Sequence, residues 1–429
     1  MNRTIKLTDK TMKTIICVFF LFLSFCLFCS QGHITQKPPD SSERSHLVFE
    51  FTMTNDQERM IHDRIGEKFY IEEPLPNLYY DSILYKLERF KIRGNASLGF
   101  RRKSFSVKLE KNIFLEDQGV IRPIDKFKLI SLVFDSTYIE NSIAIGFCHE
   151  LDLWPLCCFY TETKINENTQ GLYLFIEDPE NYFLNRLNSA FILKRDYNQG
   201  IKDYKLNKNI STKAESYYID KFRLIYKFLK EYKEKELYDT LVSYIDLEQY
   251  FTKIALDLLL QNGDAADEVY LYTKSDNDNT EIFGICPWDY DDLFAEMPHE
   301  IGSDWSVGTF IKERYYSSMD DVINDVGEKL LFSIEDDLDY IIAIDDYLYS
   351  EYIKILKNIY TNRITESTIE KVLTNTQREI EPFYSYQDII EQSKHDFNKT
   401  SKEAFYSNLV SKKDFLIERR DWIIQKLDL

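Results

Sequence analysis

Four carboxylates stand on either side of residues 265–288 of this chain: Asp264 before them, and Asp289, Asp291 and Asp292 just after them. The trio lies in Cys-Pro-Trp-Asp-Tyr-Asp-Asp-Leu-Phe, residues 286–294. Acids this dense raise one another's pKa unless water or a cation neutralises them. Hard divalent ions prefer such oxygens, and Mg2+ commonly takes one or two carboxylates together with phosphate oxygens. Taken alone, an Asp-x-Asp pair is most simply a solvated turn. Pro287-Trp288 and the apolar approach argue instead for burial, where unpaired acids are costly.

The elements that must position these acids are legible. IDLEQYFTKIALDLLLQNGD (245–264) has helix grammar, with Asp246 as cap and Gln249 placed to complete a capping box. Leu247, Tyr250, Phe251, Ile254 and Leu258 fall on one face. Gly263 supplies a stop, which leaves Asp264 as the first side chain beyond the helix. EVYLY (268–272), KSDNDNT (274–280) and EIFGI (281–285) then read as a hairpin. With its tip near residue 277, Asp264 faces Tyr290, and Asp289 and Asp291 stand on either side. The tip imitates a calcium loop, but Pro287 occupies the place of the closing Glu, so it reads as a turn.

A basic counterpart stands at RGNASLGFRRKSFSVKL (93–109), with Arg93, Arg101, Arg102, Lys103 and Lys108. Alternation puts Phe105, Val107 and Leu109 on one face and Ser104, Ser106 and Lys108 on the other, where a phosphate can sit. A solvated loop is the simpler reading of that stretch by itself. Its rarity gives it weight: the chain of 429 residues carries a net charge of −19, which excludes nucleic acid as a natural partner. An anionic substrate needs a local basic patch.

The N-terminus reads as a targeting segment. Lys6, Lys10 and Lys13 precede the apolar run 14–29, which at 16 residues is short of the roughly 20 that a membrane span needs. Residues 1–30 are expected to direct export, with cleavage near Ser30-Gln31-Gly32, lipidation at Cys29 or Cys26, or retention as an uncleaved single anchor as alternatives, and 31–46 form a linker. Cys148, Cys157, Cys158 and Cys286 remain and allow three disulfide pairings; the vicinal Cys157-Cys158 in its apolar WPLCCFY stretch is expected as buried thiol, and the spacing is not that of a zinc site.

Strand-like runs begin at His46 and recur through FILKRD (191–196), including a hairpin over 158–178 around Asn166-Glu167-Asn168. Helical patterns dominate after about residue 212: 213–241, 246–262, 320–334, 337–362, 366–381 and 411–428. The acids at 335–339 and Asp345-Asp346 read as solvated helix starts. The expected class is α+β, β-rich over about 47–211 and mostly helical over about 212–429.

Four blocks in order resemble the signature of the CotH (spore-coat protein H) kinase family. RGNASLGFRRKSFSVKL is similar to its Arg-Gly-Asn … Lys-Lys-Ser-(Tyr/Phe) … Lys-Leu block, and INENTQGLYLFIED to its Asn-Gly … Gly-Leu-Tyr … Glu block. QNGDAADEVYLY and CPWDYDD resemble its Asn-x-Asp … Leu-Tyr and Pro-Trp-Asp-x-(Asp/Glu) blocks. The resemblance, from about residue 47 to the end, implies an atypical protein-kinase-like fold that uses ATP and Mg2+ or Mn2+ to phosphorylate Ser or Thr hydroxyls of a protein acceptor. It implies Asp264 as the catalytic acid, Asp289 and its neighbour Asp291 as metal ligands, and Asp267-Glu268 in place of a metal-binding Asn, where either acid, Glu268 or Asp267, can hold the metal. It also implies Arg93, Lys103, Lys108 and Lys194 as nucleotide contacts, with Glu177 as a lysine partner or a structural residue. Glu140 stands where the family carries an Arg, which removes a cation. Two other readings stay open: a non-catalytic adhesion or assembly protein on the same scaffold, and a metal-dependent phosphoester or saccharide hydrolase.

Overall fold

The computed structural model describes residues 47–117, 119–196, 200–267, 269–275, 280–296, 298, 329–396 and 400–429. The expected targeting segment 1–30 and linker 31–46, Glu268, most of the expected hairpin tip and the first part of the helix expected over 320–334 lie outside these residues.

Alternating apolar residues close a barrel at the N-terminal side. Its strands are β1 (Val48–Thr52), β2 (Asn77–Tyr80), β3 (Ile83–Arg93), β4 (Ser104–Asp117), β5 (Val120–Ile130), β6 (Cys158–Ile165) and β7 (Asn168–Glu177). They follow one another in the order β1-β2-β3-β4-β5-β7-β6, and β6 closes the ring by running parallel to β1, with Val48 opposite Glu162. The inward positions Phe49, Phe51, Phe90, Phe105, Phe127, Tyr173 and Phe175 are buried. Their rings meet at offset angles, Phe127 and Phe175 with centroids 4.8 Å apart. The aromatic richness of the sequence is spent partly here. Asn166 and Glu167 both take positive φ, 48° and 67°, as a two-residue hairpin turn requires.

A second sheet has the order β11-β10-β8-β9, from β8 (Phe191–Asp196), β9 (Gly200–Leu206), β10 (Val269–Ser275) and β11 (Glu281–Pro287). The boundary expected near residue 211 therefore moves: β8 and β9 leave the barrel and pair with the hairpin of the C-terminal half, Lys194 opposite Tyr270. Burial decides this. Phe191, Ile192 and Leu193 are apolar in succession, and Phe191 stacks on Tyr218 of the helical region at 5.2 Å.

The helices are α1 (Asn55–Asp63), α2 (Glu140–Glu150), α3 (Glu215–Glu231), α4 (Glu234–Leu241), α5 (Leu247–Leu260), α6 (Asp337–Ile344), α7 (Asp346–Asn362), α8 (Glu366–Ile380), α9 (Gln387–Glu391) and α10 (Lys402–Lys426). The helix expected over 337–362 breaks at Asp345, whose carboxylate caps α7 by accepting the Leu348 N–H at 3.0 Å. No described helix is long and apolar enough to cross a membrane. The β-rich and helical regions are joined by Arg102, which is buried and donates to the Gln170 carbonyl (3.0 Å), the Tyr138 hydroxyl (3.2 Å) and the Asp396 carboxylate. Cys148, Cys157, Cys158 and Cys286 are free thiols.

Candidate functional site

Helix α5 delivers the first acid. Asp246 caps it by accepting the Gln249 N–H at 3.0 Å, but the Gln249 side chain turns away to accept the Ile285 N–H of β11 at 2.8 Å. The expected box is half made, and its other half stitches the helix to the hairpin. The helix ends at Gln261, in the left-handed conformation with φ 47°, rather than at Gly263. Gly263 has a different task. Its N–H donates to the Asp292 carbonyl at 2.8 Å, and a Cβ there would lie 2.9 Å from the Asp292 Cγ and 3.1 Å from the Ala295 Cβ. Only glycine allows this approach of backbone to side chain.

The hairpin ladder runs from Val269 opposite Pro287 to Ser275 opposite Glu281. Its centre is at residue 278, one beyond the expected 277, so Asp264 comes level with Asp292 instead of Tyr290. Even so, the shift keeps the acids together. Hydrogen bonds from Phe294 N to Leu260 O (2.8 Å) and from Ala295 N to Gln261 O (3.1 Å) continue the pairing beyond the strands. Asp289 is held at φ 50°, a conformation uncommon outside glycine.

Electrostatics record the clustering. The Asp291 carboxyl is pushed well above the ordinary carboxylate range, first by Asp289, then by burial, then by Asp264 and Asp292. This surplus of negative charge fits a divalent cation. Among the described residues no three carboxylate, imidazole or thiol groups close on one point as a complete cage. An ion bound here would share its coordination with phosphate oxygens and water, the usual habit of Mg2+.

Two buried cations fix the loop that carries Asp264. Lys253 donates to the Ala265 carbonyl and pairs with Asp257, both at 2.8 Å. Arg195 donates to the Ala266 carbonyl at 2.6 Å and to the Tyr250 hydroxyl at 2.7 Å, with Asp336 at 3.4 Å. Asp336 and Asp339 are thus buried partners of this network and not the solvated helix start expected of them, because the Arg195 charge, once buried, needs anionic company.

A buried lysine next to the tryptophan of this turn is not among the candidates read from the sequence. Lys128 on β5 is buried, its ammonium 4.2 Å from the ring centroid of Trp288 and 3.3 Å from the Asp178 carboxylate. Trp288 directly precedes Asp289 and stacks on Trp154. Burial, with Arg93 and Lys126 nearby, pushes the Lys128 ammonium down to about 8 against the pull of Asp178. The alternation that exposed Lys108 opposite Phe105 and Val107 applies equally to Lys126 and Lys128 opposite Phe127 and Leu129.

The remaining candidates divide. Arg93, Lys194 and Lys202 act together with Lys91 to lower the Lys68 ammonium, though burial contributes most, so they form one basic neighbourhood. Lys202 reaches Asp267 in the Asp264 loop at 2.8 Å. Lys103 is buried and donates to the Leu98 carbonyl at 2.6 Å, and Lys108 pairs with Glu88 on the barrel surface. Glu177 is buried against Arg186 and the Cys157 N–H, while its neighbour Asp178 holds Lys126 and Lys128. Glu140 is answered by Lys412 of α10 at 3.7 Å, whose ammonium also lies 3.7 Å from the Phe294 ring centroid. A cation is therefore present beside the position where the resemblance shows one missing.

The chain is 21% identical over 223 residues to inner spore coat protein H of Bacillus subtilis (strain 168), a match spanning 48% of this chain and 59% of that protein. A structural likeness covers 89% of this chain and 74% of a chain in the HipA–HipB–operator DNA complex of a Shewanella oneidensis MR-1 toxin–antitoxin system, at 9% identity and a TM-score of 0.31. The family model described as CotH kinase protein matches residues 90–423, taking in the barrel from the end of β3, the second sheet and nearly all of α10. With that extent of match, the chain belongs to the CotH kinase family.

Proposed function

We propose that this protein is an exported, metal-dependent phosphotransferase that moves the terminal phosphoryl group of ATP to a Ser or Thr hydroxyl of a protein acceptor. The observation that carries the reading is the electrostatic coupling of Asp291 to Asp289 and Asp264, next in sequence to Trp288, whose ring carries the buried Lys128. Phosphoryl transfer asks a protein mainly for positioning and charge neutralisation. A divalent cation on Asp289 and Asp291 would neutralise the phosphate oxygens and the surplus charge of the carboxylates.

This chain's own residues do the rest. Lys128, steered by Asp178, and the Arg93–Lys194 neighbourhood bind phosphate oxygens. Asp264 accepts a hydrogen bond from the acceptor hydroxyl and takes its proton as the new O–P bond forms and the bond to the ADP oxygen breaks. Lys253 and Arg195 hold the Asp264 loop by its carbonyls. The lysine-flanked apolar run at the N-terminus supports export.

The test is transfer of labelled phosphate from ATP to a protein acceptor, or to the chain itself, with Mg2+ or Mn2+. Loss of transfer in Asp289→Ala, with folding retained, is expected. Unchanged transfer in that variant would overturn the assignment, and nucleotide binding without any transfer would favour the non-catalytic scaffold that Glu140 brings to mind.

A further inference from the structure

A cleft of about 480 Å3 opens where the β4–β5 hairpin, the π-helical turn Asn181–Arg186 and the end of β9 come together. Its composition is unlike the rest of the chain. Six asparagines line it: Asn112, Asn181, Asn185, Asn188, Asn207 and Asn209. Each amide offers both donors and an acceptor without charge. Asn181 and Asn207 are buried and set the others: Asn185 Nδ2 donates to Asn181 Oδ1 at 2.8 Å, and Asn207 anchors Leu184 O and Ser189 O at 2.7 and 3.0 Å. The Arg186 guanidinium is paired with Glu177, yet its Nε is buried and has no hydrogen-bond partner among the described residues. A π-helical turn at such a place is a frequent mark of a functional site.

The cleft continues onto an apolar platform. Pro123 lines it and lies directly opposite Phe114 in the β4–β5 ladder, and Phe114 is 61% exposed. Ile121, two residues from Pro123 on the same face, is 56% exposed. A hydrogen-bonding wall of neutral amides beside an open aromatic ring matches a sugar, whose hydroxyls both donate and accept and whose C–H face stacks on rings. A phosphate ligand would instead need cations in surplus, and here only Lys208 is added to Arg186, which Glu177 already neutralises, while Asp125 opposes it.

We infer that this cleft binds a neutral oligosaccharide, Asn112, Asn185, Asn188 and Asn209 reading its hydroxyls and Phe114 stacking on its apolar face. This goes beyond phosphoryl transfer and does not rest on it. The test is isothermal titration of the full chain with a panel of uncharged tetrasaccharides: chitotetraose, cellotetraose, maltotetraose and xylotetraose. Saturable binding below about 1 mM by at least one is expected, weakened about tenfold in Phe114→Ala and in Asn185→Leu, and unchanged by saturating ATP. Phe114 is exposed, so its variant tests the ligand contact without threatening the fold. No binding by any of the four at 10-fold higher concentration, binding unaltered in both variants, displacement by ATP, or binding of an uncharged peptide in place of every sugar would each overturn the inference.

Discussion

Replacing Lys128 by Met separates the account of the site from a purely structural one. The ammonium is buried and its pKa is pushed from 10.5 to about 8. At about 1.36 kcal/mol per unit, keeping it charged at neutral pH costs the folded state about 3 kcal/mol relative to the unfolded chain. That balance already contains the attraction of Asp178, and Asp178 keeps Lys126 at 3.1 Å if Lys128 is removed. Met retains the length and apolar stem but gives up the contact with Trp288, worth ~2 kcal/mol when desolvated. Lys128→Met should therefore be no less stable than the wild type at pH 7, and more stable by up to about 3 kcal/mol. The sign of the pH dependence follows from the depressed pKa. Between 8 and 10.5 the unfolded chain holds the proton and the folded chain does not, so wild-type stability rises with pH across that window. The variant lacks this rise, and the gap between the two closes by pH 10.5. Urea unfolding at pH 7, 8, 9 and 10 measures it, and phosphate transfer in the same variant should fall at least about 100-fold. A variant less stable than wild type by more than about 2 kcal/mol at pH 7, or a gap independent of pH, would show that the charge serves the fold and would refute the reasoning.

Three other perturbations follow from the same contacts. Gly263→Ala should push the Asp292 side chain away and part the helix end from the acidic turn, lowering transfer at least tenfold with a stability loss of about 1–3 kcal/mol, read by paired activity and unfolding assays. Arg102→Met should cost about 3–5 kcal/mol in denaturant unfolding, because it leaves the Asp396 carboxylate buried without the guanidinium that pairs with it. Glu140 is pushed up to about 8 by burial, then by Asp135 and Asp292, so its contribution to stability is present below pH 4.5 and is lost as pH rises through 8. Glu140→Gln should remove that decline, giving a variant more stable than wild type by on the order of 1–2 kcal/mol at pH 8.5 and equal to it at pH 4.

The parts of the site that lie within one element or one hairpin were legible in the sequence. The periodicity of α5, its Asp246 cap and the β10–β11 alternation suffice to bring Asp264 beside the 289–292 turn, because both signals are local. The register differed because the centre of a polar tip such as KSDNDNT is fixed by turn geometry rather than by hydrophobic pattern. What could not be read depends on contacts remote in sequence. The parallel pairing of β1 with β6 closes the barrel, and the pairing of β8 with β10 reassigns two strands, yet neither leaves a local trace. Burial of Arg195 against Asp336 likewise joins residues far apart, so a carboxylate that reads as a helix cap turns out to be a counter-ion as well. Lys128 is the instructive omission. Lys128 alternates as clearly as Lys108, but charge density on a surface strand such as the RGN stretch says little about which lysine is buried against Trp288.

The central claim, that a helix end and a tryptophan-led turn jointly serve one cation, is tested most directly by anomalous diffraction from crystals grown with Mn2+ and a non-hydrolysable ATP analogue. The account predicts a manganese peak within about 2.5 Å of a carboxylate oxygen of Asp289 or Asp291, on the side facing Asp264. Nucleotide bound in the crystal with no peak at those carboxylates, or with the metal held elsewhere, would contradict it.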